Sequence, residues 1–523
     1  MKKKCNICNK KFIDQLSLGN HPCADTFLKT KSKAIKLKKY PLVVGYCDCS
    51  HLTSIYPVPS FQRYEKYDYS YTSDNSPVSR LHFKKVANYI FDCFKIGKTS
   101  FVVEAGSNDG TFLNEIKKIS KANVLGVDPS KNISLLAKKK NINILIDYFN
   151  EKSSKKIKKL HGQADIIYGA NVFNHVDDNL NFLDAVDHLL KKEGTLILEV
   201  PDLKSLVKKV GFDTIYHEHR HYYSEKSINK ILNKKGFKII KLQKINYMAG
   251  SLRVFAKKNN LGVKSINNFS YITLSEFRDF KKKIDYIIKD IQSFVSKNIK
   301  EHFVYGIGAA TKGNTLLNCC RFTDKDIKFI LDKSKFKINK FTPSSGIKII
   351  KEDKKLEIKA ALILPWNISN HLINKFFKKR KIVYTSIAKI IKKKMKKVLK
   401  NNFKDKRGEI IDIFINKPKD HCTLVTFNKN ATRGNHFHKK STQYSFLISG
   451  KLIFYSCKVD KSGKLLGKPK KELLKRNSLI THKPFHAHAF KALIPSNLLA
   501  FADGMRGGKN YEKDTFRLEK KLI

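Results

Sequence analysis

The stretch that decides the fold is Ser100-Phe-Val-Val-Glu-Ala-Gly-Ser-Asn-Asp-Gly110. Its first six residues form a short apolar run, which is typical of a buried parallel strand. Gly106 and Gly110 then allow a tight turn and the close approach of a ligand to the backbone. The spacing is E-x-G-x-x-x-G and differs from the G-x-G-x-x-G of dinucleotide sites. The acidic side chain at the strand end, Glu104, favours a cationic ligand over a pyrophosphate.

Four further strands are predicted downstream, and each ends on the same rim of a parallel sheet, where ligands bind in such folds. They are residues 123–128, 142–146, 164–168 and 194–200. The first of them ends in Asp128, a carboxylate placed to accept hydrogen bonds from two ribose hydroxyls. The third is followed by Asn171. The pattern therefore predicts a doubly wound α/β domain with a small-molecule site at its rim.

These elements, in this order, resemble the signature of the class I methyltransferases that use S-adenosylmethionine. The resemblance implies that the glycine turn holds the methionine part of the donor and that Asp128 binds its ribose. The donor-binding residues that it implies are Glu104, Gly106, Asn108, Asp109, Gly110, Asp128 and Asn171.

The stretch Tyr216-His-Glu-His-Arg-His-Tyr-Tyr-Ser224 follows the fifth strand. In a methyltransferase sheet this region faces the donor's methyl group. Tyr, His and Glu side chains move protons at neutral pH or hold a polarised oxygen, so the stretch is a candidate for proton-transfer chemistry. One alternative is a polar loop, or the start of a helix with stacked aromatic rings. Another is a metal site formed by His217, His219 and His221.

Two close cysteine pairs lie near the N-terminus, namely Cys5, Cys8, Cys47 and Cys49. Such pairs make a tetrahedral thiolate site for structural zinc, which would stabilise a module with so small a core. Free thiols are the alternative. The second pair is one residue tighter than C-x-x-C, which leaves His51 as a substitute ligand.

Alternating tyrosines follow this module, and they form either one face of an edge strand or the lining of a pocket: Tyr64, Tyr67, Tyr69 and Tyr71.

Over roughly residues 1 to 390, the chain resembles the C-methyltransferases that act on nucleotide-linked 4-keto-6-deoxyhexoses. The resemblance lies in the cysteine pairs, Tyr69-x-Tyr71-x-Ser73, Phe212–His219 and Gly250-Ser-Leu-Arg253. It implies catalytic roles for Tyr216, Glu218 and His219, assisted by Tyr71 or Tyr69. Ser251 and Arg253 are expected to contact the substrate. Ala249 departs from the pattern, which commonly has a second glycine.

The implied chemistry is the deprotonation of a carbon next to a ketone. We expect His219 to act as the base and Glu218 to orient or polarise it. We expect Tyr216 and a phenol of Tyr69 or Tyr71 to lie near the ketone oxygen and stabilise the enolate. The enolate carbon would then attack the methyl group of the donor, and no metal is required in this step.

A basic helical connector, residues 287–300, precedes a second strand, glycine turn and helix at residues 302–314. This segment and the strands after it predict a second, smaller doubly wound domain. It resembles the C-terminal domain of the same family, which contributes the nucleotide-sugar site. Lys312, Gly308 and Asn314 are then candidates for binding the diphosphate. The alternative is a second Rossmann-like domain that binds no ligand at the ends of its strands.

The last part of the chain follows a Lys-rich linker, residues 390–406, and has the pattern of short strands. His436, His438 and Gln443 match the spacing of the cupin pattern H-x-H-x4-E-x6-G, with Gln in the Glu position. We prefer His488 over His486 as the last ligand of a divalent metal in this β-barrel. The run from Arg433 resembles small cupins of capsule and O-antigen sugar pathways. A keto-sugar isomerase or epimerase, a regulatory metal site and a purely structural barrel are the three alternatives.

The formal net charge of +60 arises mostly from Lys, which is scattered over all 523 residues. Nucleic-acid binders favour Arg and a focused patch, so a nucleic-acid partner is not expected. Neither a membrane-spanning run nor a signal peptide is evident, which favours a cytoplasmic enzyme. The ten cysteines are then expected to be thiols or metal ligands.

The chain is predicted to be a multidomain α/β protein. Its domains are a zinc-binding module at 1–75, a class I methyltransferase domain with a Rossmann-like sheet at 76–298, a smaller Rossmann-like domain at 299–392 and a cupin β-barrel at 407–523. The expected cofactors are S-adenosylmethionine, a structural Zn²⁺ and a divalent metal in the cupin. The expected partners are a nucleotide-diphosphate keto-deoxysugar and a second copy of the chain that pairs through the cupin. A methyltransferase for another acceptor and a non-enzymatic scaffold are the competing hypotheses.

Overall fold

A computed structural model describes most of the chain as two compact units, Met1–Ile390 and Ile391–Ile523. The described residues are 4–259, 266, 268–353, 356–377, 382–393, 396–398, 403–405, 408–410, 413, 421–503 and 514–523. Among the helices in these ranges, none combines the length and the apolar character that a bilayer crossing needs.

The N-terminal segment forms three antiparallel strands and three helices. They are β1 (Asp14–His21), α1 (Lys31–Ile35), β2 (Tyr40–Cys47), β3 (His51–Ser54), α2 (Ser60–Tyr64) and α3 (Pro77–Phe94). The start of α3 is set by Ser76, whose side chain accepts from the backbone N–H of Ser79, and by Pro77 in the first turn. The tyrosines after α2 lie in irregular backbone, so the edge-strand alternative for them is wrong.

The central segment, residues 101–258, alternates strands and helices. Its elements are β4 (Phe101–Ala105), α4 (Thr111–Ser120), β5 (Asn123–Val127), α5 (Lys131–Lys139), β6 (Ile144–Leu145), α6 (Glu151–His161), β7 (Ala164–Ala170), α7 (Asn179–Leu189), β8 (Leu190–Pro201), α8 (Leu203–Lys208), β9 (His221–Tyr223), α9 (Glu225–Lys234), β10 (Phe237–Ile245) and β11 (Ser251–Lys258).

Seven of these strands form one sheet in the order β10-β11-β8-β7-β4-β5-β6. The five strands from β8 to β6 are parallel, and β11 is antiparallel to both of its neighbours. The buried strands are almost continuously apolar because helices cover both faces, each over its own core cluster. The chain starts at β4, moves outward to β6 and returns to β7, so the order reverses between β4 and β7.

The short strand β9 is not part of this sheet. It is the fourth strand of the N-terminal sheet, whose order is β1-β2-β3-β9. His51 pairs with Tyr223, and Thr53 pairs with His221. The last residues of the Tyr216–Ser224 stretch are therefore built into the same sheet as the N-terminal strands.

The third segment contains a five-stranded parallel sheet in the order β14-β13-β12-β15-β16. Its elements are α10 (Leu274–Asn298), β12 (Val304–Ile307), α11 (Thr311–Cys319), β13 (Ile330–Asp332), β14 (Ile349–Lys351), β15 (Ala360–Ile363), α12 (Ser369–Phe377), β16 (Val383–Thr385) and α13 (Ile387–Lys393). The predicted connector 287–300 is the second half of the long helix α10.

The second unit is built from antiparallel strands. They are β17 (Lys396–Val398), β18 (Phe403–Asp405), β19 (Gly408–Ile410), β20 (His421–Phe427), β21 (Thr432–Phe437), β22 (Gln443–Lys458), β23 (Lys470–Lys475), β24 (Ser478–His482), β25 (His486–Ala502) and β26 (Phe516–Arg517). Eight of them share one sheet, in which β22 and β25 pair along most of their length with shifts of register near Ser449. Such irregularities bend long strands, which lets one strand serve two faces.

The Lys-rich segment 390–406 is not a plain linker, which corrects one expectation. Its residues Lys396–Val398 pair with β24, so the sheet of the second unit begins before the predicted boundary at 407. Residues 414–420 lie outside the described residues. The other predicted domain boundaries stay predictions.

Candidate active site

The site forms around the carboxyl ends of β4 and β7, where the strand order reverses and open α/β sheets bind their ligands. Glu104 is the penultimate residue of β4, and the residue is 3% exposed. Its Oε2 has no hydrogen-bond partner among the described residues. Burial, and then the neighbouring Asp109 and Asp128, raise the pKa of Glu104 well above its usual value. A cationic group bound here would remove this cost, so the residues present fit a sulfonium donor that carries an amino group.

The glycine turn after β4 brings the donor-binding candidates together. Gly106 has a φ of +68°, and a Cβ atom on it would lie 2.8 Å from the side chain of Val172. The backbone N–H of Asn108 donates to Asp128 Oδ2 at 2.9 Å, which joins the turn to the end of β5. Asn171 adopts a φ of +53° at the end of β7, where its N–H donates to the Glu199 carbonyl. The structure thus places these predicted residues at one rim.

Residues 69–74 run across this turn, and we call this segment the strap. The Asn132 side chain exchanges two hydrogen bonds with the backbone of Tyr69, at 3.2 and 2.9 Å. The Asn108 amide donates to the Tyr71 carbonyl and accepts from the Ser73 N–H, at 3.1 and 2.8 Å. The backbone of Tyr69 is therefore fixed to α5, and that of Tyr71 is fixed to the glycine turn.

Tyr216 and His219 form a hydrogen-bonded pair. His219 Nδ1 donates to the Thr214 carbonyl at 2.9 Å, which leaves Nε2 as the acceptor for the Tyr216 phenol at 2.8 Å. Burial lowers the pKa of His219 to about 3 and raises that of Tyr216 well above its usual value. Both side chains are therefore neutral near pH 7, and the basic nitrogen of His219 is held by a phenol.

Glu218 does not orient His219, which corrects a second expectation. Its Oε1 and Oε2 accept from the backbone N–H groups of Asp25 and Ala24, at 2.9 and 3.3 Å. Burial raises the pKa of Glu218 to about 7. In an extended or turn segment successive side chains point in different directions, so neighbours in sequence need not share a partner. The imidazole is oriented by Thr214 and Tyr216 instead.

A second Tyr–His pair lies beside the first, and sequence reasoning assigned it no role. The Tyr64 phenol lies 2.6 Å from His175 Nδ1, and the His175 ring meets the His219 ring edge-on at 4.7 Å between centroids. Burial lowers the pKa of His175 well below its usual value. The signal available in the sequence was the position of His175, five residues after the end of strand β7.

The histidines of the Tyr216–Ser224 stretch do not share a metal site. His217 Nε2 donates to the His21 carbonyl at 3.0 Å, and His221 Nδ1 lies 3.0 Å from Thr53 Oγ1. His219 contacts Thr214 and Tyr216, as described above. Within the described ranges, no group of ligand atoms close enough for a metal includes these three.

The third segment docks onto the residues before Tyr216. Lys312 Nζ lies 3.8 Å from Asp213 Oδ2 and 4.2 Å from the centre of the Trp366 ring. Trp366 Nε1 donates to both oxygens of Asp213, at 2.9 and 2.8 Å. Asn314 donates to the Ala24 carbonyl at 2.6 Å. Burial lowers the pKa of Lys312 and raises that of Asp213.

Gly308 allows the close packing of this segment. Its φ is +80°, and a Cβ atom on it would lie 2.7 Å from Pro365. The three diphosphate candidates Gly308, Lys312 and Asn314 therefore lie on one turn and helix start, next to the Tyr216–Ser224 stretch. Each of them also has a partner within the protein.

Ser251 and Arg253 have internal partners on β11. Ser251 Oγ donates to the Tyr247 carbonyl at 3.1 Å, and Arg253 Nε donates to Glu199 Oε1 at 2.6 Å. Burial would raise the pKa of Glu199, but His82 and Arg253 outweigh it, and the pKa lies below its usual value. The Tyr247 phenol lies 3.4 Å from that of Tyr71, so this network reaches the strap.

Four sulfur atoms meet at the base of the N-terminal sheet. Those of Cys5, Cys8, Cys47 and Cys49 lie within 4.8 Å of one another. The Cys5 and Cys49 sulfurs are 3.7 Å apart, close to the edge of about 3.8 Å that Zn–S bonds of about 2.3 Å give a tetrahedron. His51 Nδ1 lies 3.5 Å from the Cys5 sulfur, outside the group of four. The residues present fit a thiolate metal site in which His51 supports a ligand.

The second unit has a buried histidine cluster. His436, His438 and His488 offer nitrogen atoms within 4.8 Å of one another. His438 Nδ1 donates to the Asp514 carbonyl at 2.7 Å, which leaves the lone pair on Nε2, 2.8 Å from Gln443 Oε1. Burial lowers the pKa of His488 well below its usual value, which keeps the imidazole in the metal-binding form. This donor set fits a divalent metal.

Two details of this cluster were hidden in the sequence. Phe485, the residue before β25, adopts a φ of +59°, a backbone conformation that glycine adopts more readily. His482 joins the cluster, stacked on His488 at 4.1 Å between centroids, and its Nε2 lies 2.9 Å from Ser445 Oγ.

Two segments of the chain match methyltransferase family models. A family model described as "Methyltransferase domain" matches residues 82–242, and "C-methyltransferase C-terminal domain" matches residues 248–384. The C-methyltransferase NovU of Streptomyces niveus is 27% identical over 391 residues, which cover 71% of this chain and 91% of that protein.

Solved structures align with parts of the chain. Magnesium protoporphyrin IX methyltransferase (ChlM) of Synechocystis PCC 6803 aligns at 17% identity over 35% of this chain and 88% of its own, with a TM-score of 0.28. A dTDP-4-dehydrorhamnose 3,5-epimerase of Sulfolobus tokodaii aligns at 22% identity over 22% and 70%, with a TM-score of 0.20. Scores this low carry no argument about activity or substrate. The family models and the curated relative confirm the predicted enzyme class, an S-adenosylmethionine-dependent C-methyltransferase, and the chain is a multidomain α/β protein.

Proposed function

We propose that the methyl acceptor is a carbon next to the ketone of a nucleotide-linked 4-keto-6-deoxy sugar. The observation that carries this proposal is the neutral, buried Tyr216–His219 pair next to the donor rim. Carbon becomes a nucleophile only after deprotonation, so a C-methyltransferase needs a positioned base. A neutral imidazole with a fixed tautomer, 2.8 Å from a phenol, supplies one.

The donor is held by the rim of the central sheet. Glu104 would pair with its cationic part, the turn from Gly106 to Gly110 would hold its methionine part, and Asp128 and Asn171 would complete the site. Bound S-adenosylmethionine supplies an electrophilic methyl group for a carbon nucleophile. The protein's own contribution is to create that nucleophile and to keep water away from it.

His219 is the final acceptor of the sugar proton, and Tyr216 is its relay. Tyr216 takes the proton from the carbon while its own phenolic proton passes to His219 Nε2. The C–H electrons form the enolate, and the positive imidazole keeps its Nδ1–H bond to Thr214. The phenols of Tyr69 and Tyr71, on the strap, are proposed to donate to the enolate oxygen.

The nucleotide part of the substrate is proposed to bind at the start of α11, through Lys312 and the turn from Gly308 to Asn314. This region touches the residues just before Tyr216, so the diphosphate would lie within reach of the proposed base. Ser251 and Arg253 are proposed to act through their partners, the Tyr247 carbonyl and Glu199. A structural Zn²⁺ on the four N-terminal cysteines would support the sheet that contains β9.

Exchange of the sugar proton with solvent tests the base. Wild-type enzyme in D₂O, given a panel of nucleotide 4-keto-6-deoxy sugars, should exchange the proton next to the ketone and transfer labelled methyl to that carbon. His219→Gln and Tyr216→Phe should lower the exchange rate by about 10²- to 10⁴-fold. Tyr223→Phe is the matched control, because it removes a phenol of the same stretch whose partners are Asn179 and the Phe173 carbonyl. Undiminished exchange in His219→Gln would sink the base assignment.

The second unit is proposed to act on the same class of sugar. A metal held by His436, His438 and His488, with Gln443 beside it, would polarise a ketone for isomerisation or epimerisation. The buried neutral histidines support this reading over a purely structural barrel. NMR of a keto sugar incubated with enzyme but without donor should show a moved ketone or an inverted centre, lost in His488→Gln. An unchanged sugar, with metal bound, would leave only the regulatory role.

A further inference from the structure

A loop of the N-terminal segment, Cys23–Asp25, meets three parts of the proposed active site. Asp25 Oδ2 accepts from the backbone N–H of Ser70, at 2.7 Å, and Oδ1 accepts from Ser70 Oγ, at 2.7 Å. Oδ1 also accepts from Thr311 Oγ1, at 2.6 Å. The backbone N–H of Asp25 donates to Glu218 at 2.9 Å. Asp25 is 5% exposed, and one residue therefore joins the strap, the start of α11 and the Tyr216–Ser224 stretch.

The contact to Ser70 lies between the two tyrosines of the strap. On either side of Ser70 the strap is bound to the donor side of the protein, through Asn132 of α5 at Tyr69 and through Asn108 of the glycine turn at Tyr71. At Ser70 it is bound to a different part of the protein. The strap is thus fixed to the donor side at its flanks and to the acceptor side at its centre.

We propose that Asp25 is a positioning residue of the methyl transfer, which holds the strap against α11 and so fixes where the Tyr69 and Tyr71 phenols meet the acceptor. This inference rests on the proposed function, because it assigns those phenols to the acceptor's oxygen. Asp25 acts through Ser70 and Thr311. The proposal also gives Glu218 a role, because its carboxylate accepts from two backbone N–H groups of the Cys23–Asp25 loop and so holds this loop in place.

Three hydrogen bonds to one carboxylate explain why this position needs Asp. An amide in its place would present one N–H₂ group toward donors of Ser70 or Thr311, and at least one of those contacts would become repulsive. Hydrogen bonds to a charged acceptor are among the strongest in proteins, and a buried donor left without a partner is costly. Asp25→Asn should therefore release the centre of the strap while its flanks stay bound.

Two measurements on the full-length protein with bound S-adenosylmethionine test the proposal. In hydrogen exchange, Asp25→Asn should speed exchange in a peptide that covers residues 66–74 and leave β4 and β7 unchanged. In methyl transfer, kcat should fall about 100-fold, the loss expected from a misplacement of about 1 Å, while the affinity for the donor stays near that of the wild type. Asp14→Asn is the matched control, since this carboxylate lies in the same module but pairs with Lys281 and Arg278.

A double-mutant cycle separates positioning from a general loss of stability. If Asp25 acts through Ser70, the kcat loss of Asp25→Asn combined with Ser70→Ala should be smaller than the product of the two single losses. Three results would each overturn the proposal. They are a double-mutant loss equal to the product of the two single losses, an unchanged kcat, and unchanged exchange in the strap. If Asp25→Asn fails to fold, Ser70→Ala and Thr311→Val decide, because each removes one hydroxyl and should lower kcat with strap exchange raised.

The outcomes distinguish this proposal from the proposed function. A wild type that methylates none of the keto sugars refutes the sugar acceptor, and the hydrogen-exchange arm then decides on the strap alone. A wild type that methylates one of them, beside an equally active Asp25→Asn, refutes the positioning role alone.

Discussion

The buried carboxyl of Glu218 should make the stability of the first unit depend on pH, and Glu218→Gln should remove that dependence. Burial raises the pKa of Glu218 to about 7 in the folded protein, whereas an unperturbed Glu titrates near about 4.3. Between these two values the native state keeps a proton that the unfolded state has lost. The free energy of unfolding therefore falls as the pH rises through this window.

The size of the effect follows from the two pKa values. Each pKa unit corresponds to about 1.4 kcal/mol, so the native state loses about 3 kcal/mol of stability by the time the pH passes about 7. Below about pH 4 both states are protonated and the contribution of Glu218 is constant. The difference in stability between wild type and Glu218→Gln should follow the same course, because the amide does not titrate.

Urea unfolding followed by tryptophan fluorescence measures this difference. The chain has one tryptophan, Trp366, which is buried and donates to Asp213, so its signal reports on the first unit. Between about pH 5 and 8 the wild type should lose about 3 kcal/mol relative to Glu218→Gln. Glu193→Gln, at an exposed position, is the control that should run parallel to wild type. If the free energy of unfolding of Glu218→Gln also changed with pH in parallel with the wild type, the reasoning would be refuted.

Three other predictions concern backbone strain and metal. Ala249 has a φ of +72°, so Ala249→Gly should raise the free energy of unfolding by about 1 kcal/mol, and a lower urea midpoint would contradict this. Gly308→Ala places a Cβ 2.7 Å from Pro365 and should cost more than about 1 kcal/mol by Trp366 fluorescence, so a neutral result would refute the packing argument. Cys8→Ser should abolish one equivalent of bound zinc and lower the melting temperature. If purified wild-type protein contained no bound zinc, the four cysteines would be free thiols.

The strand ends of the central sheet were predictable, because their signals are local. Short apolar runs, an acidic residue and glycine turns lie within a few residues of one another at Glu104 and Asp128. The predicted strands 100–105 and 123–128 differ by one residue at an end from the observed strands, 101–105 and 123–127. The class of enzyme followed from the same local motifs.

The partners of Glu218 and Asp25 were not predictable in this way. Glu218 meets the backbone of residues 24 and 25, almost two hundred residues earlier, and no periodicity links the two segments. The expectation that Glu218 serves its neighbour His219 rested on adjacency in sequence. His482 was missed for a similar reason, since the barrel brings it to His488 from another strand.

In the strap and in the Lys-rich segment 390–406, the local sequence pattern predicts the wrong backbone structure. Alternation of Tyr69 and Tyr71 suits a strand, but hydrogen bonds from Asn108 and Asn132 hold the backbone in an irregular path. Lys396–Val398 looks like part of a solvated charged linker, yet it pairs with β24. In both cases the tertiary partners override the local pattern.

The pairing of β3 with β9 has a consequence for synthesis of the chain on the ribosome. His51 pairs with Tyr223, so the N-terminal sheet waits for a strand that is made about 170 residues later. At about 5 to 20 residues per second, the edge of β3 stays unpaired for roughly 10 to 35 s. During that time an open strand edge can recruit another nascent chain, and early capture of zinc by the cysteines beside β3 would shorten the period of risk. Low zinc should therefore reduce the yield of folded enzyme during translation more than it reduces the activity of enzyme already made.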